Sequence, residues 1–172
     1  MFAIPVSKVT GINVGILVLV SGLLMTATAF FGMKSLTILS MIAVPSIAIL
    51  GSISAGKAIG DVGGITGLLS IEPTGTMTMS AALASVVGTF ISGGTLTADF
   101  TRFSKDKKTA VSTTVIAFLI GNSLMLAFGA IGAMATGQSD IAEVMFMQGL
   151  IIPAIIILGL NIWTTNDNAL YG

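Results

Sequence analysis

The sequence predicts an all-α integral membrane protein with about five transmembrane helices. Three observations predict it. Of 172 residues 54% are hydrophobic and only 8% are charged, against roughly 25% charged in a soluble domain, so the chain lacks the means to cover itself with a water-compatible surface. Its mean hydropathy is +1.04. The apolar residues are gathered into runs of membrane length, about 20 residues for a hydrocarbon core about 30 Å thick.

The first run is Ile12 to about Gly32, "INVGILVLVSGLLMTATAFFG". The second is Leu36 to about Ser54, with Pro45 near its centre. The third extends from about Met79 to Thr101, the fourth from Thr109 to about Thr136, and the fifth from about Val144 to Asn166 with Pro153 inside. Within membrane helices a proline marks a kink more often than an end, since neighbouring groups satisfy the freed carbonyl. Pro45 and Pro153 are therefore expected as kinks. "MFAIPV" reads as the tail of a further helix. "GDVGGITGLLSIEPTG", Gly60 to Gly75, is glycine-rich and reads as a loop with a short interfacial helix at Ile65–Ile71. The abrupt apolar start and the ending "NALYG" suggest a fragment.

Formal net charge is zero, but the charges are clustered. Lys34, Arg102, Lys105, Lys107 and Lys108 fall on one side of the expected membrane. Lys8 and Lys57 fall on the other, with Asp61, Glu72, Asp140 and Glu143. The positive-inside rule makes the Arg102–Lys108 loop cytoplasmic and the Gly56–Thr78 loop external. The basic cluster is short and lies between two apolar runs, which argues against nucleic acid as a partner. The chain has no Cys and no His, which excludes thiolate nucleophiles, histidine triads and the usual zinc and haem sites. Its seven acids show no paired-carboxylate spacing. An enzyme is not expected, and neither is a cofactor.

Two polar faults interrupt the apolar runs. In "GTFISGGTLTAD" the adjacent Gly93 and Gly94 stand among Ser92, Thr95 and Thr97, with Asp99 beyond. One explanation is a small-residue face for close helix packing. The other is a helix broken near 90–95, because adjacent glycines do not share one face and unwound turns in transporters expose backbone groups to a solute. Phe90 would then offer a flat face to a planar ring. In "LNIWTTNDNALY", Asn161, Thr164, Thr165 and Asn168 form one helical stripe. Hydroxyls and a carbonyl on one face suit a hard monovalent cation. An interhelical hydrogen-bond seam, or the wetted end of the helix at Asn166, Asp167 and Asn168, would produce the same pattern.

Four stretches, "MFAIPVSKVTG", "SGLLMTATAFFG", "GTFISGGTLTADFTRF" and "LGLNIWTTNDNALY", resemble the nucleobase:cation symporter-1 family and, within it, the cytosine permeases. The likeness runs along essentially the whole chain. It implies a five-plus-five inverted-repeat (leucine-transporter-like) fold, of which residues 1–172 form a central fragment of a single transporter domain, from the end of the family's third helix through most of its eighth. It implies inward cytosine transport across the cell membrane by cation symport, with sodium or a proton as the coupling ion. Nucleobase binding would fall on Thr89, Phe90, Ser92 and Gly93, and a sodium site on Asn161, Thr164 and Thr165. The implied partners are the nucleobase, the bilayer and the permease's remaining helices. A related uracil, hydantoin, allantoin or purine permease, or a truncated membrane fragment that transports nothing, are the competing expectations.

Overall fold

The computed structural model describes residues 2–72 and 75–171, the side chains of 92 and 166–171 excepted. Among the described residues every regular element is helical. The order is α1 (Ala3–Thr10), α2 (Val14–Phe30), α3 (Met33–Asp61), α4 (Gly64–Leu69), α5 (Met79–Thr101), α6 (Lys107–Ile116), a π-helical turn (Ala117–Gly121), α7 (Asn122–Thr136), α8 (Ile141–Met147) and α9 (Ile151–Tyr171).

Local chemistry sets the boundaries. Gly11 ends α1 in the left-handed region at φ 73°, and Asn13 caps α2 by accepting from the Gly15 N–H. Thr78, Asp106 and Asp140 cap α5, α6 and α8 with side-chain oxygens, satisfying N–H groups that have no helical acceptor. The short helix α4 falls within the stretch expected to hold an interfacial helix.

Among the described residues three spans are long and apolar enough to cross a membrane: Met33–Asp61, Met79–Thr101 and Lys107–Thr136. Val14–Phe30 and Ile151–Thr165 are shorter apolar helices. Helix α3 continues through Pro45. There the ring removes the N–H that would have reached the Met41 carbonyl, and the neighbouring Ser46 hydroxyl donates to Ile42 O at 2.7 Å.

The fifth expected span differs from expectation. The chain breaks between α8 and α9 at Gln148–Leu150, not at Pro153. Gly149 is left-handed at φ 75°. Its N–H donates to Phe146 O at 3.0 Å, while the Leu150 N–H reaches Met145 O at 2.8 Å. These two bonds form a Schellman stop, and Leu150 closes it by packing against the Met145 cluster. Pro153 is the third residue of α9, in the first turn, where a missing N–H costs nothing.

The packed centre is formed by α3 against α7 and α9, with α8 laid across the end. Met145, Ala154 and Ile157 are its buried nucleus, flanked by Leu50, Ile141, Phe146 and Leu150. Helix α3 presents small buried residues to these neighbours: Ala43, Gly51, Ser54, Ala55 and Ala58. Small residues let membrane helices approach closely. Gly51 lies under the Phe128 ring, and Gly132 faces Val144. Most other large apolar side chains are exposed, Phe30, Phe31, Leu69 and Ile152 among them. Such an exterior suits lipid.

Helix α5 runs unbroken from Met79 to Thr101, so the break expected near 90–95 is not present. None of its described residues is buried, and among the elements it packs chiefly on α6. Beside Gly93 the Phe118 ring is the neighbour, at 3.7 Å from where a Cβ would sit, and Gly94 has open space. An unwound turn needs partners for its freed N–H and C=O groups. Without them the helical ladder is the way those groups are satisfied. The irregular turn falls instead at Ala117–Gly121, where the Asn122 N–H reaches back five residues to Ala117 O.

Candidate substrate and ion sites

The residues expected to hold a solute are distributed over two concavities. Gly93 opens onto a cavity of about 600 Å³. Leu96, Thr97 and Phe100 of α5 line it on one side, with Thr113, Thr114 and Phe118 opposite and Thr165 of α9 at its edge. Phe90 faces a second groove with Asn122, Met125, Gly129 and Ala133 of α7. In the continuous helix Phe90 and Gly93 line different concavities. The exposed Thr89 turns its hydroxyl back to Ser85 O at 2.8 Å. The Ser92 side chain lies outside the described residues.

The walls of the Gly93 cavity are mainly apolar, with Leu96, Phe100, Ala117 and Phe118, and carry threonine hydroxyls among them. Thr97 donates to Gly93 O at 2.7 Å, and Thr114 to Ala110 O at 2.8 Å. Each leaves oxygen lone pairs for another donor. Asp99, the nearest acid along α5, is engaged by Arg102 at 3.8 Å. A surface of this kind suits a flat, uncharged polar molecule better than an ion. Thr113, Thr114 and Phe118 carry no signal in the sequence, because they sit in an otherwise regular apolar run and the π-helical turn beside them has no composition signature.

Asn161, Thr164 and Thr165 are brought together. The Thr165 hydroxyl donates to Asn161 O at 2.7 Å. The Thr164 hydroxyl lies 3.1 Å from the same carbonyl and 2.8 Å from Leu160 O. Three oxygens therefore meet at one point on α9. Both hydroxyls turn back onto their own helix, and among the described residues no hydrogen bond joins them to another. The neighbouring Trp163 makes the interhelical bond instead, from Nε1 to Thr28 Oγ1 at 2.8 Å. That fixes the rotation of α9 against α2 and thereby the direction in which Thr164 and Thr165 point. Asn168 and Asp167 have side chains outside the described residues.

A helical membrane protein with hydroxyl-bearing concavities is the class that these features define. The chain belongs to the family of permeases for cytosine/purines, uracil, thiamine and allantoin, which it matches over residues 3–172. It is 57% identical over 171 residues to the cytosine permeases of Escherichia coli O157:H7, strain K12 and O6:H1, covering 99% of this chain. These relatives are named permeases, that is, transporters rather than enzymes. The chain spans 41% of the length of those curated relatives.

Proposed function

We propose that this chain is the central segment of a nucleobase permease that carries cytosine inward across the cell membrane together with a monovalent cation, sodium in the first instance. The observation that carries the reading is the shared cavity in which Gly93 of α5 and Thr165 of α9 both take part. That a surface of threonine hydroxyls, phenylalanine rings and aliphatic side chains lies beside the α9 oxygens supports a neutral planar solute and a cation binding as neighbours. The 57% identity to cytosine permeases supports cytosine as the solute. In this reading Phe90, Thr89, Ser92 and Gly93 supply the nucleobase side of the site. The Arg102–Lys108 loop is cytoplasmic.

Uptake of radiolabelled cytosine by cells expressing the full-length permease tests this, with unlabelled uracil, allantoin and purines as competitors. Cytosine should compete best, and the 172-residue chain alone should give no uptake, since it spans 41% of its relatives. Phe90→Ala should weaken binding roughly ten- to a hundredfold and Phe90→Trp far less, because base stacking on an aromatic is worth about 1–3 kcal/mol. Equal losses would make Phe90 a packing residue against α7. Preferential competition by another nucleobase would replace cytosine. Labelling of a cysteine at Ser104 from outside the cell would reverse the topology.

A further inference from the structure

We propose that the tip joining α5 to α6 is a binding site for the headgroups of anionic phospholipids. Helix α5 has 23 residues, and the span from Lys107 has 30. At about 1.5 Å per residue they reach about 34 and 45 Å, beyond a hydrocarbon core of about 30 Å. They are joined by residues 102–106 alone. Two spans meeting through so short a connection hold it at the depth of the lipid phosphates.

The tip carries Arg102, Lys105, Lys107 and Lys108. Its two carboxylates are already committed. Asp99 pairs with Arg102. Asp106 accepts the Thr109 N–H at 2.7 Å as the cap of α6. Lys105, Lys107 and Lys108 are exposed, and among the described residues no acid lies within ion-pair distance of them. Two of the three begin α6, where the helix dipole already presents positive charge and a cation is unfavourable. An anion resting at this end offsets both the dipole and the mutual repulsion of the lysines. Phe103 is 52% exposed and lies 4.9 Å from the Arg102 guanidinium. An aromatic ring beside a cation at that depth suits the bilayer interface. Juxtamembrane basic clusters gain about 1 kcal/mol per Lys or Arg from anionic lipid.

The test uses the full-length permease in nanodiscs of phosphatidylcholine with increasing phosphatidylglycerol. Both faces of a nanodisc carry the same lipid, so the result does not depend on orientation. Retained phosphatidylglycerol is counted by native mass spectrometry. Wild type should retain it, and the triple variant Lys105→Gln, Lys107→Gln, Lys108→Gln should lose affinity by about fivefold per lysine. The triple Lys→Arg variant should retain it. High salt should release it from the unaltered protein, a measurement that needs no variant to fold. Retention unchanged in the Gln variant, or insensitive to salt, overturns the proposal. Displacement by millimolar inorganic phosphate would show a site for soluble phosphate and would overturn the lipid as its ligand.

Discussion

Ser54 and Gln148 hold each other by two hydrogen bonds across 94 residues of chain. The Ser54 hydroxyl donates to Gln148 Oε1 at 2.8 Å, and Gln148 Nε2 donates to Ser54 O at 3.0 Å. Ser54 is only 1% exposed. The pair ties the middle of the bundle to the turn between α8 and α9, where the chain has no helical ladder. Ser54→Ala leaves the Gln148 carbonyl without its partner and should cost about 1 kcal/mol in thermal or denaturant unfolding. The double variant Ser54→Ala, Gln148→Leu should cost less than the sum of the single ones. Strict additivity would mean that the two side chains act independently.

Gly51 and Gly94 should respond oppositely to alanine. A Cβ on Gly51 would lie 2.5 and 2.6 Å from two Phe128 ring carbons. Gly51→Ala should therefore push α3 from α7 and destabilise the protein by about 1–3 kcal/mol. Gly94 has nothing within 4 Å of its Cβ position. Gly94→Ala should leave stability unchanged or raise it by up to about 1 kcal/mol. If transport requires unwinding at this point, that stabilised helix should transport more slowly. Unimpaired transport by Gly94→Ala would mean that α5 works as the continuous helix seen here.

The oxygen cluster on α9 predicts an order of effects. Thr164→Val and Thr165→Val each keep shape and remove one oxygen. Both should raise the sodium concentration needed for half-maximal cytosine uptake in the full-length permease, with a smaller loss at saturating sodium. Asn161→Ala should be milder, because its carbonyl survives. All three should leave unfolding midpoints nearly unchanged, since among the described residues the two threonine hydroxyls bond to carbonyls of their own helix. Parental uptake that does not depend on sodium would end the sodium assignment and point to a proton, with Asp99 and Asp167 the carboxylates to test.

Asp106 gives a pH dependence with a defined sign. Its carboxyl is held below the usual aspartate value of 3.8, chiefly by the Thr109 N–H, then by the Thr109 hydroxyl and the Lys108 N–H. A carboxylate depressed on folding stabilises fully above its unfolded value and ceases to do so as pH falls through the folded one. Helicity at the start of α6 should thus weaken only below about pH 4, where the ordinary aspartate titrates. Asp106→Asn should keep the cap and abolish that acid sensitivity. Hydrogen exchange at Thr109 and Ala110 amides measures both.

The helical, apolar character of the chain and the loop helix α4 were legible, because each follows from composition over many residues. The features that depend on a single turn were not. Gly93 and Gly94 signal a weak helix, but weakness becomes a break only where other groups take over the backbone bonds. "MFMQGLIIP" reads as one apolar run in which Pro153 is the evident breaker, but the left-handed Gly149 does the stopping. Asn161, Thr164 and Thr165 share one face of α9 because a helical stripe needs only a helix. Phe90 and Gly93 line separate concavities because different neighbours lie against them, α7 beside Phe90 and Phe118 beside Gly93.

The π-helical turn at Ala117–Gly121 has a consequence for how this span tolerates change. One extra residue per turn advances everything beyond it by about 100° relative to an unbroken α-helix. Before the turn, Thr113 and Thr114 face the cavity beside α5. After it, Phe128 meets Gly51 and Gly132 meets Val144. The turn is a phase adjuster that lets one span be in step with two sets of neighbours. Substitution within it leaves that timing intact. Deleting one residue would make the helix more regular and rotate Phe128 and Gly132 away from their partners. Length, more than identity, is therefore what this stretch has to keep.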